Sequence, residues 1–544
     1  MSVLAYNWIK NCQKSHARCK SRDSHFRPKR LIQILDSSNL QLVHPRELSM
    51  EDQVDYVALS HRWGGGSPLT LLEAKERDFQ KHISAKDLPR TFQEAILACL
   101  KLGISYIWID SLCIIQDSKE DWEEQAAEMG SVYGNCELNL CMAGSANPSE
   151  ASFGSRDTDL ILPVCIPLTG FDGSLAQLRL VCDSSFECDI KESPLRKRGW
   201  VFQEWYLSKR SLVLGRMQLW WHCREMLACE TFPRGTEGTN FQNSLTDVES
   251  MKDTNYGRNV IFSQSLWWDL IKQYAGTGLA YEAKDRVIAF SGMPKMFRQA
   301  HQIQDEYVAG MWRRDLPQAL LWYRFCGGKT SRSKEYKAPS WSWMSIDGPF
   351  ELKDHSQRKG WSQETPVVTS HQCSTVTDVK VSLADKSNPF SMLHSGSITI
   401  HGHLVKLHKD RDGGIDMGTV SVRDLNHGEI RLDEEDENEN SVISYLDPTS
   451  TSQHGVSSGL QRTKMSLKAA TGSTYVLPLL HQVYDMSKHS TTNVVGLVLY
   501  ESLDQPHVFY RIGSFHATSF GSSSFEEMTK NLEAEYPKTS IYIL

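Results

Sequence analysis

The stretch Tyr106–Gln116, YIWIDSLCIIQ, decides the fold class of this chain. Its apolar opening is too short for a helix and reads as a strand buried on both faces. A carboxylate, a hydroxyl and a thiol (Asp110, Ser111 and Cys113) follow where that strand would emerge. In open parallel α/β sheets ligands bind beyond the carboxyl ends of the strands. A candidate site therefore falls here.

Working outward, Val54–Ser60 (VDYVALS) reads as an earlier strand running into His61-Arg62-Trp63 and then Gly64–Gly66. The glycines invite a phosphate-loop reading, but no GK[ST] follows and the dinucleotide spacing is not met. A plain loop at a strand end is expected. Thr91–Glu94 has the T-x-x-E form of a capping box. Phe92, Ile96, Cys99 and Leu100 supply an apolar helical face, and Gly103 is placed to end the helix. Strand, helix and strand in this order make a βαβ unit with a parallel sheet. Ser118–Asp121 then caps a second helix with Trp122, Ala126, Met129 and Tyr133 on one face. Leu138, Leu140 and Met142 alternate as a third strand ending near Gly144 and Ser145. If the sheet is parallel throughout, Ser60/His61, Asp110/Ser111 and Gly144/Ser145 line one rim.

The chain has 544 residues, which suits two or three domains. Four regions are expected: a helical lead over 1–49, an α/β domain over 50–230, a helical Trp-rich region over 231–350 and a β-rich region over 351–544. The acidic run Asp433–Asn440 and the Ser/Thr/Gly-rich stretch near 448–460 read as exposed loops. Fifteen tryptophans point to large aromatic clusters within the domains. A net charge of −7 carries no basic nucleic-acid footprint, and the short basic runs Arg27–Arg30 and Arg196–Arg198 read as solvated faces. No apolar stretch is long enough for a membrane helix, and the N-terminus lacks a signal-peptide core. The 13 scattered cysteines suit a reducing compartment. A cytoplasmic protein without membrane or nucleic-acid partners is expected.

Among the candidate residues, His61 is the best general-base candidate, since histidine titrates near neutrality unaided; a satisfied structural histidine is the alternative reading. Asp110 either orients a histidine or binds a hydroxyl, or it caps the following turn. Cys113 with His61 would make a nucleophilic pair, although its apolar flank reads as inert core. Arg198 and Glu204 flank Gly199-Trp200. They either pair with one another to pin this segment to the sheet or supply charge at a ligand site, with Glu204 as a catalytic carboxylate. Ser60, Arg62, Trp63, Ser111, Gly144, Ser145 and Arg198 make up the ligand-binding set. Cys12, His16 and Cys19 fall on one face of a helix and suit zinc, but no fourth ligand is evident. Cys223 and Cys229 lie at unhelpful spacing, so no metal is expected. Trp341 and Trp343 would share a strand face and pack.

YVALSHRWG (Tyr56–Gly64), LPRTFQEAI (Leu88–Ile96), YIWIDSLCIIQD with the following DW, M and Y (Tyr106–Tyr133) and RGWVFQE (Arg198–Glu204) occur in order. Together they resemble the fungal heterokaryon-incompatibility (HET) domain. Leu266–Met293, AGMW (Ala309–Trp312), APSWSWMSIDG (Ala338–Gly348) and Gly496–Phe515 are similar to the usual downstream region of such proteins, and the opening W-x3-C-x3-H-x2-C of Trp8–Cys19 also fits.

The resemblance implies a fungal protein of self/non-self recognition that regulates or executes programmed cell death when incompatible hyphae fuse. It would act through a protein partner or self-association. It implies a TIR-like, flavodoxin-like parallel sheet as the fold. Some TIR domains cleave NAD⁺ with a helix-borne glutamate, which makes NAD⁺ a candidate substrate; no resident cofactor is evident. HET-like proteins in secondary-metabolite gene clusters imply a biosynthetic enzyme with a small-molecule ligand as an alternative, and a non-catalytic scaffold is another. One departure bears on the chemistry. Where such sequences often carry Glu three residues after the DW tryptophan, this chain has Gln125, which cannot serve as a carboxylate base.

Overall fold

The computed structural model describes residues 2–20, 25–48, 54–64, 69–145, 147–152, 154, 156–169, 175–182, 184–236, 264–324, 331–332, 335–352, 367–409, 415–416, 425–432, 442–446, 473–486, 489–520 and 525–544. Gly65 and Gly66, the acidic run Asp433–Asn440 and the stretch 448–460 lie outside the described residues. The chain divides into two compact units. One comprises Met1–Leu266, Thr277–Leu279 and Ile288–Ile303; the other comprises Trp267–Gly276, Ala280–Val287 and Gln304–Leu544.

The first unit opens with α1 (Ser2–Ser15) and two strands, β1 (Leu31–Ile34) and β2 (Asn39–Val43). β3 (Tyr56–Ser60), α2 (Glu76–Lys81), the short β4 (Ile83–Ser84), α3 (Arg90–Leu102), β5 (Tyr106–Trp108) and the single turn α4 (Asp110–Cys113) follow. Next come α5 (Lys119–Asn135), β6 (Leu138–Cys141), α6 (Thr158–Ile161), a hairpin of β7 (Val164–Thr169) and β8 (Leu175–Leu180), and α7 (Gly199–Leu207). β9 (Arg210–Leu214), β10 (Leu219–Cys223) and β11 (Leu227–Cys229) complete a nine-stranded sheet in the order β11-β10-β9-β6-β3-β5-β1-β2-β4.

The centre of this sheet is the expected βαβ core. β5, β3, β6 and β9 run parallel, with Ala58 opposite both Trp108 and Asn139. The flanks are antiparallel, so the sheet is mixed and not parallel throughout. Connection length is the reason. Only a few residues link β1 to β2 and β9 to β10, and links that short join antiparallel neighbours. Asp36 fixes the first turn by accepting from the amides of Ser38 and Asn39 at 2.7 and 2.9 Å. The N-terminal lead is thus not only helical, since LIQI and NLQLV alternate and join the sheet.

Two local expectations give way. Gly103 ends α3 in the left-handed conformation as expected (φ 73°), but α3 has no side-chain N-cap. Thr91 instead donates to Pro148 O at 3.0 Å, and Glu94 Oε2 accepts from the Ser152 amide at 2.7 Å. The box residues clamp a neighbouring loop. The run Arg27–Arg30 is likewise no solvated face. Arg27 and Arg30 are buried, and Arg30 makes a bidentate pair with Asp121 at 2.9–3.0 Å. Ser118 does cap α5, accepting from the Asp121 amide.

In the second unit a ten-stranded sheet takes in Val367–Gln372, Thr375–Leu383, Leu393–Gly402, Thr474–Met486, His489–Glu501, Val508–Phe520 and Thr539–Ile543. Almost every described pairing in it is antiparallel; Val508–Phe520 and Thr539–Ile543 run parallel. Trp312, Trp322, Trp341 and Trp343 are fully buried in this unit. Trp343 starts a single 3₁₀ turn capped by Ser342, so Trp341 and Trp343 pack as expected without sharing a strand face. The buried Arg511 guanidinium lies 3.3 Å over the Trp322 ring and donates to the carbonyls of Leu320 and Trp322, which compensates its burial. No described helix is long and apolar enough to cross a membrane.

Candidate functional site

β3 and β5 are parallel neighbours in register, so the chain segments leaving them emerge side by side. Ser60 ends β3 and is followed by His61; Asp110 opens α4 just beyond β5. His61 Nε2 and Asp110 Oδ1 stand 3.7 Å apart, too far for a hydrogen bond but close enough for strong electrostatic coupling. Asp110 holds the turn it opens, as one of the two readings had it, and takes an indole donor where the other had a histidine or a hydroxyl. Its Oδ1 accepts from the Ser111 amide at 2.7 Å, capping its own turn, and its Oδ2 accepts from Trp63 Nε1 at 2.6 Å.

The third contribution comes from α7. Arg198 and Glu204 were expected to pair with each other or to charge a ligand site. The structure sends each to the end of β3, with no hydrogen bond between the two: Arg198 donates to the His61 carbonyl, and Glu204 Oε2 meets the Ser60 hydroxyl at 2.5 Å. The helix is seated by Gly199, whose amide donates to Gly278 O at 2.8 Å. A Cβ at Gly199 would stand 2.5 Å from Leu279 Cδ2, so the close approach needs glycine.

Glu204 is buried, and loss of water raises its pKa to about 7 against the opposing pull of Arg198 and Ser60. Burial pushes His61 the other way, down to about 4, with Asp110 partly restoring it. At neutral pH the imidazole is therefore uncharged beside a carboxylate, while Glu204 exchanges its proton near neutrality. The Ser60 hydroxyl has one hydrogen but faces two acceptors, Glu204 Oε2 and Asn139 Oδ1 at 2.9 Å. A protonated Glu204 resolves this by donating to Ser60, which then donates to Asn139. Such a relay suits acid–base chemistry or recognition of a polar ligand.

The other candidates are placed as follows. Cys113 is fully buried in α4, and burial drives its thiol up to about 12, which withholds the thiolate a nucleophile needs. Ser111 is buried, and Arg62 and Trp63 are half-buried. Gly144 and Ser145 are engaged elsewhere: the Gly144 amide donates to Leu214 O at 2.8 Å, and Ser145 bonds Ser152. Two contributors were missed from sequence. Tyr133, read only as part of an apolar face, donates to Leu59 O at 2.9 Å and lies within hydrogen-bond reach of Glu204. Asn139 was overlooked, although a lone amide inside the apolar strand LNLC was the available signal. Gln125 is buried on α5.

A second constellation lies in the same unit. Cys223 on β10 brings its sulfur to those of Cys12 and Cys19 and to the His16 imidazole, which puts four donor atoms in one cluster where the sequence offered three. The three N-terminal residues do not share one helical face, because α1 stops at Ser15 and Ala17–Cys19 turns as 3₁₀.

Residues 56–204 match the family model described as Heterokaryon incompatibility protein (HET). No curated protein matches the chain, and no solved structure does. The matched span opens on the first residue of β3 and closes on Glu204. His61, Asp110 and Glu204, with the βαβ units that carry them, therefore lie within a heterokaryon-incompatibility (HET) domain spanning residues 56–204.

Proposed function

We propose that this protein is an incompatibility-type effector or regulator of cell death whose HET domain works at the strand-end site. It binds or turns over a small polar ligand there and relays that state to a protein partner or a second copy of the chain. The observation carrying this reading is Glu204, a buried carboxyl that titrates near 7, bonded to Ser60 next to His61 and coupled electrostatically to Asp110. A merely structural helix seat gains nothing from such a group, and costs of this kind are characteristically retained where they serve a site.

The same carboxyl favours a second reading, an acid–base enzyme of small-molecule metabolism. NAD⁺ is the less supported substrate. α5 presents Gln125, so NAD⁺ cleavage would have to draw its carboxylate from Glu204 on α7.

The test is induced expression in a filamentous fungus lacking the gene, beside His61→Ala/Asp110→Asn and Glu204→Gln variants. Growth arrest with the wild type and growth with equally abundant, folded variants is expected. Arrest by all three overturns the site. Normal growth with abundant wild-type protein overturns the autonomous effector and moves weight to the enzyme reading.

A further inference from the structure

We propose that Cys12, His16, Cys19 and Cys223 form a structural zinc site that fastens α1 to β10. All four ligand atoms lie within 4.8 Å of one another. A tetrahedral zinc with Zn–S of about 2.3 Å and Zn–N of about 2.0 Å needs its ligand atoms about 3.5–3.8 Å apart. His16 Nδ1 stands 3.3 Å from Cys223 Sγ, slightly inside that spacing, and no pair exceeds 4.8 Å, so a closure of about 1 Å at most brings the set to that geometry. Three sulfurs and one imidazole are a closed donor set of the kind that holds zinc without an open position.

The surroundings are those of bound thiolates. Arg210 Nε donates to Cys12 Sγ at 3.1 Å while Nη2 donates to Cys19 O at 3.0 Å. The backbone amides of Arg224 and Glu225 are hydrogen-bonded to the sulfurs of Cys19 and Cys223. Zinc with three thiolates carries one net negative charge, and the buried Arg210 guanidinium is placed to offset it. Such outer contacts orient ligands and hold their charge. The two sides also meet apart from the ligands: the Arg18 amide donates to Glu225 Oε1 at 2.7 Å, and Trp8 stacks on Trp221 at 6.3 Å.

The metal's role is therefore to tie the N-terminal helix to the far flank of the sheet that carries the HET domain. It takes no part in the strand-end chemistry, and the inference stands whether or not that chemistry is assigned correctly.

The experiment uses the full chain purified under reducing conditions from cells grown with zinc. Elemental analysis should find one zinc per chain in the wild type and in Cys229→Ser, whose sulfur lies outside the cluster. Cys223→Ser should retain at least about tenfold less. Should that variant fail to fold, the wild type alone decides. Exchange with Co²⁺ should give thiolate charge-transfer and tetrahedral d–d bands, and a chelator should lower its melting temperature. A reduced wild-type protein that carries no zinc and develops no cobalt–thiolate spectrum overturns the proposal. Full zinc content in folded Cys223→Ser does so too.

Discussion

Glu204 Oε2 and the Ser60 hydroxyl meet at 2.5 Å, where α7 seats against the end of β3. One residue further on lies His61, so two buried titrating groups with opposite shifts share one site. Glu204 rises from 4.5 to about 7 and His61 falls from 6.5 to about 4, in both cases mainly through burial.

Their opposition sets the pH dependence of folding. The raised Glu204 contributes stability that is complete below about 4.5 and is withdrawn as pH rises through about 7. The depressed His61 contributes stability that is complete above 6.5 and is withdrawn as pH falls through about 4. Between these limits the two tilts cancel, each being at most about 1.4 kcal/mol per pH unit. Glu204→Gln should therefore unmask stability that rises with pH across the mildly acidic range. His61→Asn should unmask the reverse slope, and the double variant should be flat. Urea midpoints across that range check this; single variants with no change of slope would reject the assignment.

Asp121 is the buried anchor between the N-terminal strands and α5. It takes a bidentate bond from Arg30, one from Lys29 at 2.8 Å and one from the Ile115 amide at 2.8 Å. Asp121→Asn leaves the buried Arg30 guanidinium with the half-buried Glu76 carboxylate, at 2.8 Å, as its counter-charge, so the loss of the bidentate pair should cost about 1–3 kcal/mol. Replacing both partners with apolar residues of similar size should cost much less. Equilibrium unfolding of the two variants separates these outcomes.

The loop at Asn147–Ser152 is held from two sides. α3 grips it through Thr91 and Glu94. Beyond β3, Gly64 sits at φ 71°, where a Cβ would stand 2.7 Å from Pro148 Cδ. Glu94→Gln weakens a charge-assisted bond to the Ser152 amide and should cost about 1–2 kcal/mol. Gly64→Ala combines backbone strain with that clash and should cost as much or more. Both should speed limited proteolysis within 147–152; unchanged cleavage in either would separate the loop from these contacts.

The central βαβ order was legible because apolar runs and helical spacing report burial directly, as in Tyr106–Trp108 and Phe92/Ile96/Cys99. The antiparallel flanks were not, since LIQI and NLQLV carry alternation but no sign of their partner strand. His61 and Asp110 were legible as strand-end polar residues. Glu204 stood out only as one end of the Arg198–Glu204 motif, and its raised pKa comes from burial that no local pattern encodes. Cys223 was illegible for a plainer reason: it lies 207 residues from His16, and only sheet order brings them together. Thr91 and Glu94 fit a capping pattern, yet the tertiary partners Pro148 and Ser152 took both side chains.

Arg198 supplies the final prediction, because its charge acts on both buried titrating groups. It holds Glu204 below the value burial alone would set and also depresses His61. Arg198→Ala should therefore move the Glu204 titration above about 7 and raise that of His61 as well. Arg198→Lys keeps a positive charge and should shift the titrations less, even though it cannot reproduce the guanidinium geometry at the His61 carbonyl. Reading stability against pH with and without Glu204→Gln in each background isolates the carboxyl. Equal Glu204 midpoints in the wild type and Arg198→Ala would mean that Arg198 seats α7 without tuning the site. An upward shift in Arg198→Ala that Arg198→Lys largely restores would assign it an electrostatic role as well.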